Sequence, residues 1–267
     1  MKRKNRVVIR ALLCFVILAA VFALPAAAMD ITDPSDIVDL TEDGTFPLSM
    51  VEDLGATTTV EIMVLLTVLT LVPSILIMVT GFTRIAIVLS FTRNAMGTQQ
   101  TPPNQVIIGL SLFLTFMVMQ PVFAEMQANA WDPYQAGEIE IGEALDNAVD
   151  PLRKFMGDQI LINKNESSIN NFMYLAGLPD AATIDDVPTY VLIPAFITSE
   201  IKTAFQIGFI IFLPFIAIDM IVASALMSMG MMMLPPVMIS LPFKIMVFVL
   251  VDGWNLTIGT LLRTFSP

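Results

Sequence analysis

The sequence predicts an all-α, polytopic membrane protein with about four hydrophobic helices paired as hairpins and a small helical insert on the outer side. Hydrophobic residues make up 56% of its 267 positions and charged residues only 14%, well below the roughly one-quarter expected of a soluble domain. The mean hydropathy is +0.78. Twenty of the 24 acidic residues fall in two polar segments, 29–59 and 125–190, which leaves the rest of the chain as long apolar runs. Histidine is absent, and the only cysteine, Cys14, lies in a segment expected to be removed. A Cys/His zinc site, a cysteine nucleophile and a histidine base are therefore excluded from the mature chain, and no metal or cofactor is expected.

Residues 1–28 read as a cleavable signal peptide. Lys2, Arg3, Lys4, Arg6 and Arg10 give a positive start, Ala11 to Leu24 is an apolar core too short for a span, and Pro25-Ala-Ala-Ala28 offers small residues for cleavage. Its removal leaves eight basic and 24 acidic residues, a net charge of −16, which argues against nucleic acid as a partner. Residues 29–59 hold eight acids and no base, and form an acidic lead-in with the composition of a disordered segment.

Residues 60–124 are expected to be a first membrane helix pair. Ile62 to Phe91 is apolar except for interruptions at Pro73, Gly81 and Arg84, and its length implies a tilted or kinked span with Arg84 near the inner end. A polar turn, Arg93 to Gln105, leads into a second span over Val106 to Ala124. Residues 125–190 form the acidic insert, with turn signals at Trp131-Asp-Pro133, Gly157, Gly177-Leu-Pro179 and Val187-Pro188. Two helices are expected in it, one presenting Ile141, Leu145, Val149 and Leu152, the other Ile169, Phe172, Met173 and Leu175. Residues 191–267 form a second membrane pair, Phe205 to Gly230 and Val237 to Leu262, the latter interrupted by Pro242. The export signal, with Arg84 and Arg93 beside the 93–105 turn, puts both acidic segments outside.

An ionisable group inside an apolar helix costs at least about 2.5–3.5 kcal/mol, so each one needs a reason. Glu200 and Lys202 stand where the insert meets the third span, either as solvated end charges or as a subunit contact. Asp219 and Lys244 lie on facing segments on either side of the Pro235-Pro236 turn. Counted from the turn along straight helices, their depths differ by roughly 12 Å, so pairing within the chain requires a bend, for example at Pro242, or else a neighbouring subunit. A packing ion pair is weighed there against a role in moving ions. Trp254, late in the fourth span, reads as an interface anchor.

Between these charges lies the methionine cluster Met227, Met229, Met231, Met232 and Met233, followed at once by Pro235 and Pro236. Leu234, preceding a proline, is biased out of the helical region, so the helix should stop near the methionines. Methionine has three rotatable bonds and a soft sulfur, and a cluster of it at a helix end makes a deformable apolar seal or lip.

Read together, Phe82-Thr-Arg-Ile85, Arg93-Asn-Ala-Met-Gly97, Pro102-Pro-Asn-Gln105, Pro194 to Gly208, Pro214-Phe-Ile-Ala-Ile-Asp219, Met229 to Pro236, Pro242-Phe-Lys244 and Val251-Asp-Gly-Trp254 resemble the FliP/SctR family of type III secretion export-gate proteins. The resemblance covers about residue 60 to the C-terminus. It implies a non-enzymatic pore subunit in the flagellar basal body at the bacterial inner membrane. It also implies assembly into a helical ring with FliQ and FliR, contact with FlhB, and passage of unfolded flagellar proteins through the centre. The same resemblance implies that Met231, Met232 and Met233 form a pore gasket, that Glu200 serves subunit assembly, and that Asp219 and Lys244 serve packing. Members of the family are thought to sit largely above the membrane plane, so the four spans would describe insertion better than the final assembly. Virulence injectisomes share the central motifs; the signal peptide and Leu234-Pro235-Pro236 favour the flagellar branch.

Two other readings rest on the charges alone. A secondary transporter or ion-conducting subunit using Asp219, Lys244 and Asp252 would predict inverted repeats, which the sequence does not display. An intramembrane aspartyl protease would pair Asp219 with Asp252, but neither carries the surrounding glycine pattern such a site needs.

Overall fold

Apolar residues recurring at helical spacing govern the architecture, and every regular element among the described residues is a helix. The structure, a computed structural model, describes residues 70–71, 74–98, 100–179, 181, 183–231 and 235–265. It divides into two units, residues 1–76 and 77–267. Of the first, only a few residues up to Leu76 are described, and they are helical. The expected signal peptide and acidic lead-in lie outside the described residues, as does most of the first half of the expected first span.

In the second unit the helices are α1 (Phe82–Met96), α2 (Asn104–Met126), α3 (Asp132–Ala136), α4 (Ile141–Ile162), α5 (Glu166–Leu175), α6 (Thr189–Ser228), α7 (Pro236–Leu250) and α8 (Gly253–Arg263). A π-helical turn, Gln127–Trp131, joins α2 to α3, so one continuous helical path runs from Asn104 to Ala136. Trp131-Asp-Pro133, expected as a turn, is therefore helical. Pro133 falls just after the π-helical turn, in the first turn of α3, and the path ends instead at Gly137, whose φ is 73°.

Two described helices, Asn104–Ala136 and Thr189–Ser228, are long and apolar enough to cross a membrane, and α7 with α8 makes a third if the bent pair counts as one span. A helical membrane protein is thus the observed class, with two to three candidate spans among the described residues. The last pair is interrupted, but not at Pro242, which sits inside α7. The bend, of 64°, falls at Val251–Asp252, where Asp252 takes the left-handed region with φ 50°. Gly253 permits it: a Cβ there would lie 2.3 Å from the Phe248 ring, which folds back over the bend. Trp254, partly buried, stacks edge-on against that ring, with centroids 5.5 Å apart.

The centre of the unit is the packing of α1 along the first half of α6. On α1, the buried residues Arg84, Ile85, Val88, Leu89, Thr92, Ala95 and Met96 form one face; on α6, Val191, Leu192, Ala195, Phe196, Ser199, Glu200, Thr203, Ala204 and Gly208 form another. The two helices run parallel. Arg84 meets Glu200, Phe91 packs edge-on against Phe205 and Phe212, and Ala95 and Met96 share a cluster with Phe215. α2 returns antiparallel to α1. Arg93 clamps the turn between them by donating to the Pro102 carbonyl and to Asn104 Oδ1.

The helices of the insert add to the same core. Phe155, Met156, Ile160, Ile169 and Met173 pack in one cluster with Ile85, Leu89 and Phe196. Asn165, buried between α4 and α5, donates to Ser199 Oγ at 2.8 Å and Thr203 Oγ1 at 3.2 Å on α6. Gly157, expected to mark a turn, lies inside α4, where an added Cβ would come within 2.4 Å of Ile184; it is there for close approach. The expected helical periods are present, but the apolar face of α4 is only partly buried. Ile141, Leu145 and Val149 are exposed; Ile141 and Leu145 line an open apolar hollow with Met126, Trp131 and Tyr134 rather than a closed core.

Close packing of α6 on α1 makes Gly208 a sensitive position, since a Cβ there would stand 2.7 Å from the Phe91 ring. Gly208→Val is expected to destabilise the unit by about 1–3 kcal/mol through overpacking. Gly142→Ala, where an added Cβ meets nothing, should be neutral or stabilising by at most about 1 kcal/mol. Thermal unfolding of both variants in detergent measures the difference, and equal melting of the two would refute the close approach.

Candidate functional site

The strongest electrostatic feature is Arg84, fully buried in the first turn of α1. Its Nε donates to Glu200 Oε2 at 3.0 Å, and Nη2 donates to Glu200 Oε1, a bidentate ion pair with both side chains inaccessible. Nη2 also donates to Gln159 Oε1 on α4 at 3.1 Å, while Nη1 reaches the Thr264 carbonyl and hydroxyl, each at 3.0 Å. All five guanidinium hydrogens are therefore used. The Phe265 ring covers the guanidinium at 4.1 Å, and Gln159 Nε2 donates to the Phe265 carbonyl at 3.0 Å. Gly81 leaves room for that ring, since a Cβ there would lie 2.6 Å from it.

This arrangement corrects two expectations. Glu200 is not a solvated end charge: α6 begins at Thr189, so Glu200 stands three turns inside the helix, facing α1, while Lys202 alone remains exposed. Nor is Arg84 at the inner end of its helix. It starts α1 and is consumed by an ion pair, so of the two arginines invoked for the orientation of the 93–105 turn, Arg93 is the one at that turn.

Asp219 and Lys244 form the second pair. Lys244 Nζ donates to Asp219 Oδ2 at 2.6 Å, and Ser240 Oγ donates to Asp219 Oδ1 at 2.5 Å. Neither a bend nor a neighbouring subunit is needed. One helix ends at Ser228 and the next starts at Pro236, so depth counts from those two helix ends. Asp219 then lies nine residues before Ser228 and Lys244 eight after Pro236, about 13 and 12 Å. Lys244 also backs onto the end of α1, with its Nζ about 4.0 Å from where a Cβ of Gly97 would be. Asp252 is at the far end of α7, eight residues beyond Lys244 and about 12 Å along the axis, hydrogen-bonded to Asn255. The two aspartates of a protease reading are not brought together.

Beyond this pair, α6 and α7 end in the methionine turn. The helix stops at Ser228, near the methionines as expected, and Gly230 ends it. With φ at 74°, Gly230 donates to the Met227 carbonyl at 3.1 Å, and Met231 N–H returns to the Leu226 carbonyl at 3.1 Å, a Schellman cap. The prolines act at the other side: Pro235 caps α7 and Pro236 starts it. Met227, Met229 and Met231 are exposed. Met232 and Met233, the other two residues of the expected gasket, lie outside the described residues.

Sequence reasoning singled out Glu200, Asp219 and Lys244 but missed Gln159, Thr264 and Phe265 as parts of the Arg84 site. One signal was available: a buried arginine in an apolar run demands a carboxylate, and Glu200 is one of only three acids in the closing apolar region.

Comparison with known proteins follows the same stretch of chain. A model of the FliP family matches residues 65–261. The chain is 52% identical to the flagellar biosynthetic protein FliP of Bacillus subtilis over 211 residues, covering 79% of this chain and 94% of that one. It is 51% identical over 209 residues to the FliP of Pectobacterium carotovorum, covering 78% and 80% of the two chains. Against the FliP of Treponema pallidum identity is 52% over 206 residues, covering 77% and 75%.

Two predictions follow from the ion pairs. Arg84→Ala, which strands Glu200 in the core, should cost about 3–5 kcal/mol, and Arg84→Lys should rescue little because ammonium lacks the five-donor fork. Arg84→Met with Glu200→Leu should recover much of the folded yield in detergent; a double variant no better than Arg84→Ala would refute the hub. For the second pair, neutralising Asp219 or Lys244 should lower the yield of assembled complex on native gels, and exchanging the two residues should partly restore it. Normal assembly of both neutral variants would remove the pair from that role.

Proposed function

We propose, from the premise that the chain belongs to the FliP family, that it is a non-enzymatic, pore-forming subunit of the flagellar protein export gate at the bacterial inner membrane. In this reading it assembles with copies of itself and with FliQ and FliR in a helical ring that FlhB joins, and unfolded flagellar proteins pass through the middle. Met231, Met232 and Met233 of each copy close the passage to ions and small solutes. Glu200 acts in assembly through the fold, by holding α6 against α1.

The observation that carries this reading is the α6–α7 hairpin. An ion pair braces it at Asp219 and Lys244, and its tip is an exposed methionine turn. Such a tip is soft on a stiff base, which suits a seal that must yield to polypeptides of any sequence. The second half of α6 and most of α7 display apolar side chains that no described part of the chain covers, among them Phe209, Ile210, Leu213, Met238 and Phe243, as expected of a subunit buried in an oligomer or in lipid. At 40 residues, α6 is about 60 Å long, twice the hydrocarbon thickness of a bilayer, which accords with a gate that rises out of the membrane plane. The flagellar names of the relatives favour that branch over the injectisome. A transporter reading gains nothing from the charges, since Arg84 is spent on Glu200 and Lys244 on Asp219.

Replacing Met231, Met232 and Met233 together with alanine tests the gasket. In cells that assemble the complex, the membrane should leak ions or small solutes while export is partly retained. Unchanged permeability would overturn the assignment.

A further inference from the structure

Apolar side chains reach the surface at many points on this chain, but beside the π-helical turn they line a concavity. Between the end of α2, that turn, α3 and the start of α4 lies a hollow of about 250 Å³. Ala130 and Ala144, both buried, are small enough to leave the depression, Trp131, Tyr134, Ile141 and Leu145 wall it, and its surface is wholly apolar. The π-helical turn carries Ala130 and Trp131, and helix defects of this kind recur at functional sites. The setting is acidic. Asp132 follows Trp131, Glu138 lies in the connection to α4, Glu140 precedes Ile141, and Glu143 and Asp146 flank Leu145; all five are exposed. No base occurs from Glu125 to Leu152, and among the described residues none of these acids has an ion-pair partner.

We propose that this hollow docks a basic amphipathic segment of a different protein, which seats one large apolar side chain between the walls and sets its lysines or arginines against the surrounding acids. An aromatic-walled pocket that excludes water is where binding energy concentrates, and a rim of one sign steers in a partner of the other and turns away its own kind. A second copy of this chain does not fit that description. Past residue 28 it has eight bases. Arg84 and Lys244 are held in ion pairs, and Arg93 and Arg153 are tied to acceptors within the fold. The other four, Lys154, Lys164, Lys202 and Arg263, stand apart on α4, just after it, on α6 and on α8, so no segment presents a row of positive charge. An anionic lipid surface would meet like charge. The occupant is therefore a basic segment from elsewhere, approaching on the side of the insert. This goes beyond the gate reading and makes no use of the methionine turn.

Two measurements on the full chain test it. In the first, a synthetic amphipathic peptide with lysines on its polar face and leucines and one tryptophan on the other is titrated onto the detergent-purified protein, beside a twin peptide with glutamates in place of the lysines. The lysine peptide should bind severalfold more tightly than its twin, and added salt should weaken it. Glu140→Lys, Glu143→Lys and Asp146→Lys together should reverse the preference. Leu145→Asp should abolish binding without loss of folded yield, since Leu145 is 61% exposed. Equal binding of the two peptides, or no effect of Leu145→Asp, overturns the proposal. In the second, a photo-crosslinking phenylalanine analogue replaces Leu145 in cells, with Tyr174 on α5, 80% exposed, as the control position. Position 145 should capture a peptide that carries a net positive charge and a large apolar residue, and the three-lysine variant should lose it. Capture of lipid alone, of a segment of this same chain, of an acidic segment or of nothing at all overturns the assignment.

Discussion

A single guanidinium, that of Arg84, is the constraint on which the rest of the described structure depends. A charge in an apolar interior is tolerated only when its hydrogen-bonding capacity is met in full, and here that takes α6, α4 and the residues after α8 at the same time. The parallel register of α1 on α6 follows, since a slip of one turn would leave Glu200 and Arg84 each without its partner. The chain end follows too. Thr264 supplies its carbonyl and hydroxyl, and Phe265 its ring, to a residue some 180 positions earlier, and Gly81 is small because Phe265 must pass over it. Apolar residues could fill the same volume with equal stability, but they would not discriminate among registers as a charge does.

The second ion pair governs a different part of the molecule. Around Arg84 the helices are covered on several sides, and α6 buries a continuous stripe from Val191 to Gly208. Past that level only Phe215 is buried on α6, and the hairpin with α7 stands with its apolar flanks free. Asp219, Ser240 and Lys244 hold this outlying hairpin in register where core packing no longer does. A well-packed half and an unpartnered half, joined by one helix of about 60 Å, suit a subunit whose fold is completed by its neighbours.

Much of this was legible in the chain itself. Composition and the long apolar runs determined a helical membrane protein, and Gly230 and Pro236 determined where one helix ends and the next begins, because these residues act through their own backbone. The methionine cluster was equally plain, since its property is intrinsic to the side chain. Helical periodicity located α4 and α5. It did not settle which faces are covered: Ile169 and Met173 are buried while Ile141 and Leu145 are not, and that depends on what packs against each.

Only the tertiary structure decided what the charges are for. Glu200 and Asp219 look alike in sequence, each a carboxylate in an apolar run, yet one is sealed in a five-donor site and the other braces an exposed hairpin. Sequence spacing misjudged the Asp219–Lys244 pair by counting every residue back to the Pro235-Pro236 turn as helix, and it put the interruption of the last span at Pro242, where Asp252 and Gly253 make the bend. The reason is general to such chains. Local residues set where a helix starts and stops, whereas a buried charge is defined by groups that approach from distant parts of the chain, and distance in sequence carries no record of that approach.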